Sequence, residues 1–313
     1  MNILRYINAL IHPFDTIASI IDSKNSELQK NISNIFEYTA YDLTKQSLSS
    51  KENGISTEKI CDNEVIVSLT SYGKRIHDVY LAIESIMQGS VKPNKIILWL
   101  DEETLKKEKL PVSLQNQQNR GLEIEFCKDI KSYTKLIYAL KKYPNANIIT
   151  IDDDIIYKYD LVENLIRSHL KDTKCICANR IHQIKKLNNG KLDSYLNWKW
   201  NLGNDTTISS LNFFTGVGGV LYPPNSLHKE VFNEDVFLSI CPTADDVWFN
   251  AMARLQGTPI CKAFTHSNIG EDYLDKLSPL EAGLGHNNNN PQNCLNDIQI
   301  KAVFEKYSIY KLL

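Results

Sequence analysis

Hydrophobic positions in this chain keep one period over residues 1–60 and another beyond. In the first segment Ile3, Leu4, Ile7, Leu10, Ile11 and Phe14 recur at helical spacing, and Leu28, Ile32 and Ile35 repeat it. The pattern predicts amphipathic helices that end in the polar run SLSSKENGISTEK (47–59), read as a linker. Their polar face carries few Lys or Arg, so packing against the domain or a second copy suits them better than a membrane surface. From Glu64 onward short β-branched runs alternate with helical ones. Strands are predicted at 65–69, 96–100 (IILWL), 122–126, 147–151 and 175–178. Helices are predicted over 74–88, 133–143, 160–171 and 297–307; Gly89 closes the first and Pro144 stops the second. Strand and helix in alternation imply an α/β fold, a mostly parallel central sheet flanked by helices. Such sheets bind ligands at the carboxyl ends of their strands, which says where chemistry should be sought.

Composition narrows the partners. With 42% hydrophobic and 23% charged residues the chain has the profile of an ordinary soluble globular protein. A formal charge of −2, without a basic stripe, argues against a nucleic-acid surface. If the ligand is anionic, something other than bulk positive charge must hold it, and a metal ion is one candidate. The seven Cys form no CxxC pair and no zinc-like spacing, and Cys175 and Cys177 read as small core residues of one strand face. A reduced, cytoplasmic compartment is the simplest expectation. No apolar run reaches the ~18 residues of a spanning helix. The opening MNILRYINALIHPF, interrupted by Arg5, Asn8, His12 and Pro13, is not read as a signal peptide.

Three motifs carry candidate chemistry. In Ile151-Asp152-Asp153-Asp154-Ile155, adjacent carboxylates repel one another unless a cation or donors offset them. Asp152 and Asp154, spaced i, i+2 on extended chain, point the same way and suit one Mg²⁺ or Mn²⁺. The structural alternative is an acidic helix cap at Asp154 or Asp160. The second motif is Pro242-Thr243-Ala244-Asp245-Asp246-Val247-Trp248, where Thr243 and Asp246 have capping-box spacing and Asp246 is otherwise a general base. The third is FFTGVGGVLYPP (213–224), neither a Walker loop nor a dinucleotide fingerprint; its glycines mark a bulge, tight packing, or close approach of a sugar or diphosphate.

In this order, over about residues 64–265, the motifs resemble those of the GT-A glycosyltransferases. The spacing is similar to the bacterial family-2 enzymes and to the beta-1,3-galactosyltransferase and Fringe group. The resemblance implies a Rossmann-like GT-A domain (61–265), with a helical extension and linker before it (1–60) and a loop and helix packed on it (266–313). It implies an inverting, metal-dependent transfer from a nucleotide sugar, a UDP-sugar by preference, to a hydroxyl of a glycan or lipid-linked glycan in bacterial surface polysaccharide synthesis. Asp246 takes the place of the base. Asp152 and Asp154 take that of the metal ligands, with His266 as a late ligand and His286 a weaker competitor. Thr70, Ser71, Tyr72, Arg75, Asp101, Lys135, Asp152 and Asp153 fall where the donor nucleotide is held: Tyr72 against the base, Arg75 at a phosphate, Asp101 at the uracil edge. Trp198, Trp200, Gly218, Gly219 and Asp245 fall on the acceptor side, and the Asn287–Asn290 run reads as a loop over the donor. The second strand ends Asp-Glu-Glu rather than Asp-Asp-Gly-Ser, and no Gln-x-x-Arg-Trp follows ADDVW, which argues against a processive polymerase. Peripheral association with the inner face of the cytoplasmic membrane, and pairing of copies through the N-terminal helices, fit the same picture. A sugar nucleotidyltransferase would carry a Gly-rich basic loop after its first strand, and TSYGKR has one Gly. A non-catalytic binder of nucleotide sugars or glycans is the remaining alternative.

Overall fold

In the computed structural model the apolar runs at Val65–Thr70 (β1), Lys95–Leu100 (β2) and Asn147–Thr150 (β4) lie side by side in the middle of the main sheet. Residues 13–103, 109–203, 205–265, 273–275 and 288–313 are described. With Leu122–Phe126 (β3), Ile176–Ala178 (β6), Val220–Tyr222 (β9) and Ile260–Lys262 (β10) they complete a seven-stranded sheet of order β10-β6-β9-β4-β1-β2-β3. Only β9 runs against its neighbours β4 and β6; the other named pairs are parallel. The mostly parallel, helix-flanked sheet inferred from the strand and helix periods is therefore the architecture of the chain.

Strand alternation builds the core on both faces. Val65, Val67 and Leu69 point into one layer with Ile96, Leu98 and Ile149, while Ile66, Ile97 and Ile148 point into the other. Helices Tyr80–Met87 (α2), Val112–Gln118 (α3) and Leu161–His169 (α5) cover the first layer. Thr134–Lys142 (α4), Glu234–Ile240 (α6), Asp245–Gln256 (α7) and Leu295–Lys306 (α8) cover the second. Helix α7 ends on Gly257, whose φ of 74° is the left-handed C-cap geometry that glycine adopts without a Cβ penalty.

Two predicted elements are reshaped. The helix expected over 74–88 is split: a 3-10 turn at Gly73–His77 closes the end of β1, and α2 begins only at Tyr80. The glycine-bearing segment is not one strand. Asn212–Phe214 (β8) pairs with Ile181–Gln183 (β7), a 3-10 turn follows at Gly216–Gly218, and β9 then enters the main sheet. Gly219 makes that switch at φ 86°, where an added Cβ would also lie 3.0 Å from Leu161 Cδ1. Ile155–Tyr157 (β5), unpredicted, pairs with Tyr273–Asp275 (β11).

The chain divides into two units, 1–43 and 44–313. The helical spacing after Pro13 belongs to one continuous helix, Pro13–Ser49 (α1), which crosses that boundary. Within the second unit the polar run after α1 is bonded to the sheet end: Gly54 N–H donates to Arg120 O at 2.8 Å and Ser56 N–H to Pro93 O at 2.8 Å. Among the described residues no helix is long and apolar enough to cross a membrane.

Candidate active site

The ends of β1 and β4 open on a cavity of about 570 Å³, lined among others by Thr70, Tyr72, Arg75, Asp101, Lys135, the three aspartates 152–154, Asp245 and Asp246. Motifs nearly a hundred residues apart thus share one space. Local backbone explains why. β4 ends in the aspartates and the chain turns back as β5, so Asp154 precedes a strand and caps no helix. Asp160 does stand at the N-cap of α5 but makes no side-chain capping bond.

The aspartates divide between two cations. Lys135, the second residue of α4, sends its buried Nζ to Asp152 Oδ1 at 2.7 Å and to Asp245 Oδ2 at 3.2 Å. Arg75 Nη1 reaches Asp153 Oδ1 at 2.9 Å and Asp154 Oδ2 at 3.1 Å, and Ser71 Oγ donates to Asp153 Oδ2 at 2.6 Å. Burial alone would lower the Lys135 pKa, but the charges of Asp152, Asp245 and Asp246 outweigh it and hold the ammonium protonated well above its usual value. Arg75 is raised in the same way, with Asp153 and Asp154 outweighing burial. Tyr157 OH accepts from Asp152 N–H at 2.8 Å and donates to Val217 O at 3.1 Å, tying the aspartate run to the glycine turn.

Asp246 sits in the first turn of α7, and the capping box is not formed. Thr243 Oγ1 instead contacts Asn288 Oδ1 at 2.8 Å and Gln299 Nε2 at 2.9 Å, and Ala244 is the N-cap. Asp246 Oδ1 accepts the Gly216 N–H at 2.9 Å. Asn250 fixes that geometry from the next turn of α7 by donating to Phe214 O at 2.8 Å and accepting the Phe214 N–H at 3.2 Å. Any side chain at 216 would crowd the site, since a Cβ there would lie 3.1 Å from Asp246 Oδ1 and 3.2 Å from Lys135 Nζ. Burial and the neighbouring Asp245 charge push the Asp246 carboxyl up to about 7, against the opposing pull of Lys135 and the Gly216 N–H. A carboxylate poised near neutrality beside a cavity has the proton affinity a general base needs.

Of the residues expected to hold the nucleotide, Tyr72 is 53% exposed, with the Arg75 guanidinium 5.3 Å from its ring centroid. Thr70 lines the cavity and donates to Trp99 O at 3.0 Å, and Asp101 follows the end of β2. The residues expected on the acceptor side separate. Trp200 lines the cavity, whereas Trp198 is buried, bonded to Asp193 O at 3.0 Å and packed against Phe213. Gly216, rather than Gly218 or Gly219, forms the glycine part of the wall. His266 and His286 lie outside the described residues, as does Asn287; Asn288 and Asn289 line the cavity. Ser71, expected with Thr70, Tyr72 and Arg75 after the first strand, lies in the cavity wall. Tyr157, Thr215 and Arg180 belong to the site without having been singled out from the sequence.

Among the described residues no set of three or more His, Cys, Asp and Glu is arranged to hold a metal. The donors present fit a different kind of site. Asp152 and Asp154 both line the cavity, and Mg²⁺ commonly takes one or two carboxylates and completes its shell with water and substrate phosphates.

No family model matches the sequence, and no curated protein matches it. Among solved structures, the chain is similar to S. aureus TarS residues 1–349 in complex with UDP, at 11% identity and TM-score 0.44, over 69% of this chain and 61% of that one. It is similar to the mannosyltransferase PcManGT from Pyrobaculum calidifontis in complex with GDP-Man and Mn²⁺, at 10% identity and TM-score 0.41, over 76% and 66%. It is also similar to a CMP:2-keto-3-deoxy-manno-octonic acid synthetase complexed with CTP, at 11% identity and TM-score 0.37, over 64% and 88%. The chain thus spans less than two thirds of the TarS structure's length. At these values the similarities carry no argument about activity, which rests on the site.

Proposed function

We propose that the chain is an inverting glycosyltransferase that moves a sugar from a nucleoside-diphosphate donor, a UDP-sugar by preference, to a hydroxyl of a glycan or lipid-linked glycan acceptor. The observation that carries this reading is the meeting, in one cavity, of the aspartate run 152–154 with an Asp246 whose carboxyl is raised to about 7. In this reading Tyr72 packs on the base, Asp101 meets its polar edge, and Arg75 and Lys135 face the diphosphate. Asp152 and Asp154 hold the Mn²⁺ or Mg²⁺ that accompanies the donor, and the ion supplies Lewis-acid neutralisation of the leaving diphosphate. Asp246 takes the proton of the acceptor hydroxyl as its oxygen forms the new bond to the anomeric carbon. The bond from that carbon to the diphosphate oxygen breaks, and the nucleoside diphosphate leaves with the electron pair. Attack opposite the leaving group inverts the anomeric centre. A cytoplasmic location and surface polysaccharide synthesis fit this chemistry.

The test is a panel of nucleotide sugars, each with and without Mn²⁺, read by the shift in melting temperature and then by transfer to glycan acceptors. One donor should stabilise the protein with metal present and turn over. If none does, the reading fails; release of pyrophosphate from a nucleoside triphosphate and a free sugar would replace it with a nucleotidyltransferase.

A further inference from the structure

Four cationic side chains line the cavity: Arg75, Lys131, Lys135 and Arg180. Arg75 and Lys135 are spent on the aspartates, and Lys131 is exposed to solvent. Arg180, in the turn between β6 and β7, differs from all three. Its Nε is buried, and among the described residues its guanidinium has neither a hydrogen-bond acceptor nor a carboxylate partner. Thr215, only 5% exposed and also in the wall, has a buried Oγ1 that lacks a partner. Buried donors without acceptors are costly, and two in one wall of a ligand cavity point to a ligand that supplies what the protein does not.

Arg180 is held for this purpose by its surroundings. The guanidinium lies 5.9 Å from the Trp200 ring centroid, and that ring is stacked on His182 at 4.9 Å and anchored by its Nε1 to Tyr195 O at 3.1 Å. His182 Nδ1 accepts the Asn201 N–H, and burial together with the Arg180 charge lowers the imidazole pKa to about 3, so His182 stays neutral and Arg180 remains the cation there. Gly218 leaves room for it: a Cβ would stand 3.0 Å from both the Arg180 N and Cβ. Arg180 O accepts the Thr215 N–H at 3.1 Å, and the next residue, Gly216, holds Asp246. The guanidinium is therefore built into the wall that carries the base, not the wall formed by β1, α4 and the aspartates.

We propose that Arg180, with Thr215 beside it and Trp200 behind it, is an anion-recognition site in the acceptor subsite, so that the acceptor carries a phosphate or carboxylate near the hydroxyl that attacks. This rests on the transferase reading of the cavity. A guanidinium matches either group through paired, charge-assisted hydrogen bonds, and a hydroxyl donor next to it completes the contact.

The experiment uses the full chain saturated with UDP and Mg²⁺, and compares two probe pairs by calorimetry or ligand-observed NMR. These are methyl β-glucuronide against methyl β-glucoside, and glycerol 3-phosphate against glycerol. The anionic member of one pair should bind about tenfold or more tightly than its neutral twin, and which pair does so distinguishes carboxylate from phosphate. Arg180→Ala should erase that preference while leaving UDP affinity unchanged, and Arg180→Lys, which keeps the charge without the fork, should retain part of it. Equal binding within both pairs overturns the proposal. So does an Arg180→Ala protein that loses UDP affinity but keeps its preference, since Arg180 would then serve the donor diphosphate. If UDP does not bind yet the Arg180-dependent preference persists, the anion site stands and the transferase reading falls.

Discussion

The two walls of the cavity treat charge in opposite ways. On the wall formed by the ends of β1 and β4, every aspartate of the 152–154 run is met by Lys135 or Arg75 at 2.7 to 3.1 Å. On the wall formed by the glycine turn and the β6–β7 connection, Arg180 and Thr215 present donors without acceptors among the described residues, and Asp246 keeps a raised carboxyl in the same cavity. The first wall is internally paired, so under the proposed function a donor with its cation would have to rearrange existing ion pairs. The second is incomplete on its own. Lys135 joins the two, touching Asp152 on one side and Asp245 on the other.

The comparison is broken most sharply at Asp246. Asp246→Asn keeps an oxygen to accept the Gly216 N–H but removes the base, and transfer should fall by about 10² to 10⁴ while donor binding persists. In the parent, kcat/KM should climb with pH to a plateau, half-risen near about 7, because the ionised carboxylate is the active form. A variant turning over at near the parental rate would remove Asp246 from the mechanism.

Lys135 comes next. Removing one partner of a buried ion pair costs about 3 kcal/mol or more, so Lys135→Met should lower the melting temperature and also abolish donor-induced stabilisation. Arg120→Met is the control, because Arg120 forms a still more deeply buried pair with Glu84 at 2.8 Å and does not line the cavity. It should destabilise at least as much, yet its folded fraction at low temperature should still bind donor. If both variants keep donor binding, Lys135 is a structural residue only.

Gly216→Ala probes the contact between the walls. The new Cβ meets Asp246 Oδ1 at 3.1 Å and Lys135 Nζ at 3.2 Å, so the carboxylate must shift by a few tenths of an ångström. Small misplacements of reacting groups are expensive, and a kcat loss of roughly tenfold with an unchanged melting temperature is expected. Gly219→Ala, which clashes with Leu161 and leaves the wall untouched, should do the reverse.

How far these features could be read from the sequence follows from their range. Most strands of the main sheet follow local hydrophobic period, though β10 and the short helices α3 and α6 are not predicted from it. IDDDI stands out because carboxylates follow an apolar strand run, ADDVW because two of them open a helix. Periodicity cannot show that 212–222 serves two sheets, because Phe213-Phe214 and Val220-Leu221 are equally apolar and the switch depends on Gly219 taking a positive φ. Likewise Tyr157 follows the aspartates as an ordinary core aromatic, and only the hairpin-like return of β5 brings its hydroxyl to Asp152 N–H. Arg180 is still harder to see. Its significance is the absence of a carboxylate opposite it, a property of the folded surroundings rather than of any motif. Trp198 and Trp200 show the limit at close range: two residues apart in one run, one packs in the core and the other lines the cavity.

The last effect concerns stability rather than turnover, and its sign is fixed. Asp246 has a folded-state pKa of about 7 against an ordinary value of 3.8, so the folded protein keeps this proton where the unfolded chain has already lost it. Its contribution to stability is therefore complete below pH 3.8 and is lost as pH rises toward about 7. Asp246→Asn removes that loss, because the amide never ionises. The variant should melt at the same temperature as the parent near pH 4 and above it at pH 8, with the gap opening between the two values. Scanning both proteins across that range checks the electrostatics of the base independently of any substrate. A gap that shrinks as pH rises would mean that Asp246 is stabilised as a carboxylate, and the wall carrying it would then be as fully neutralised as the one opposite.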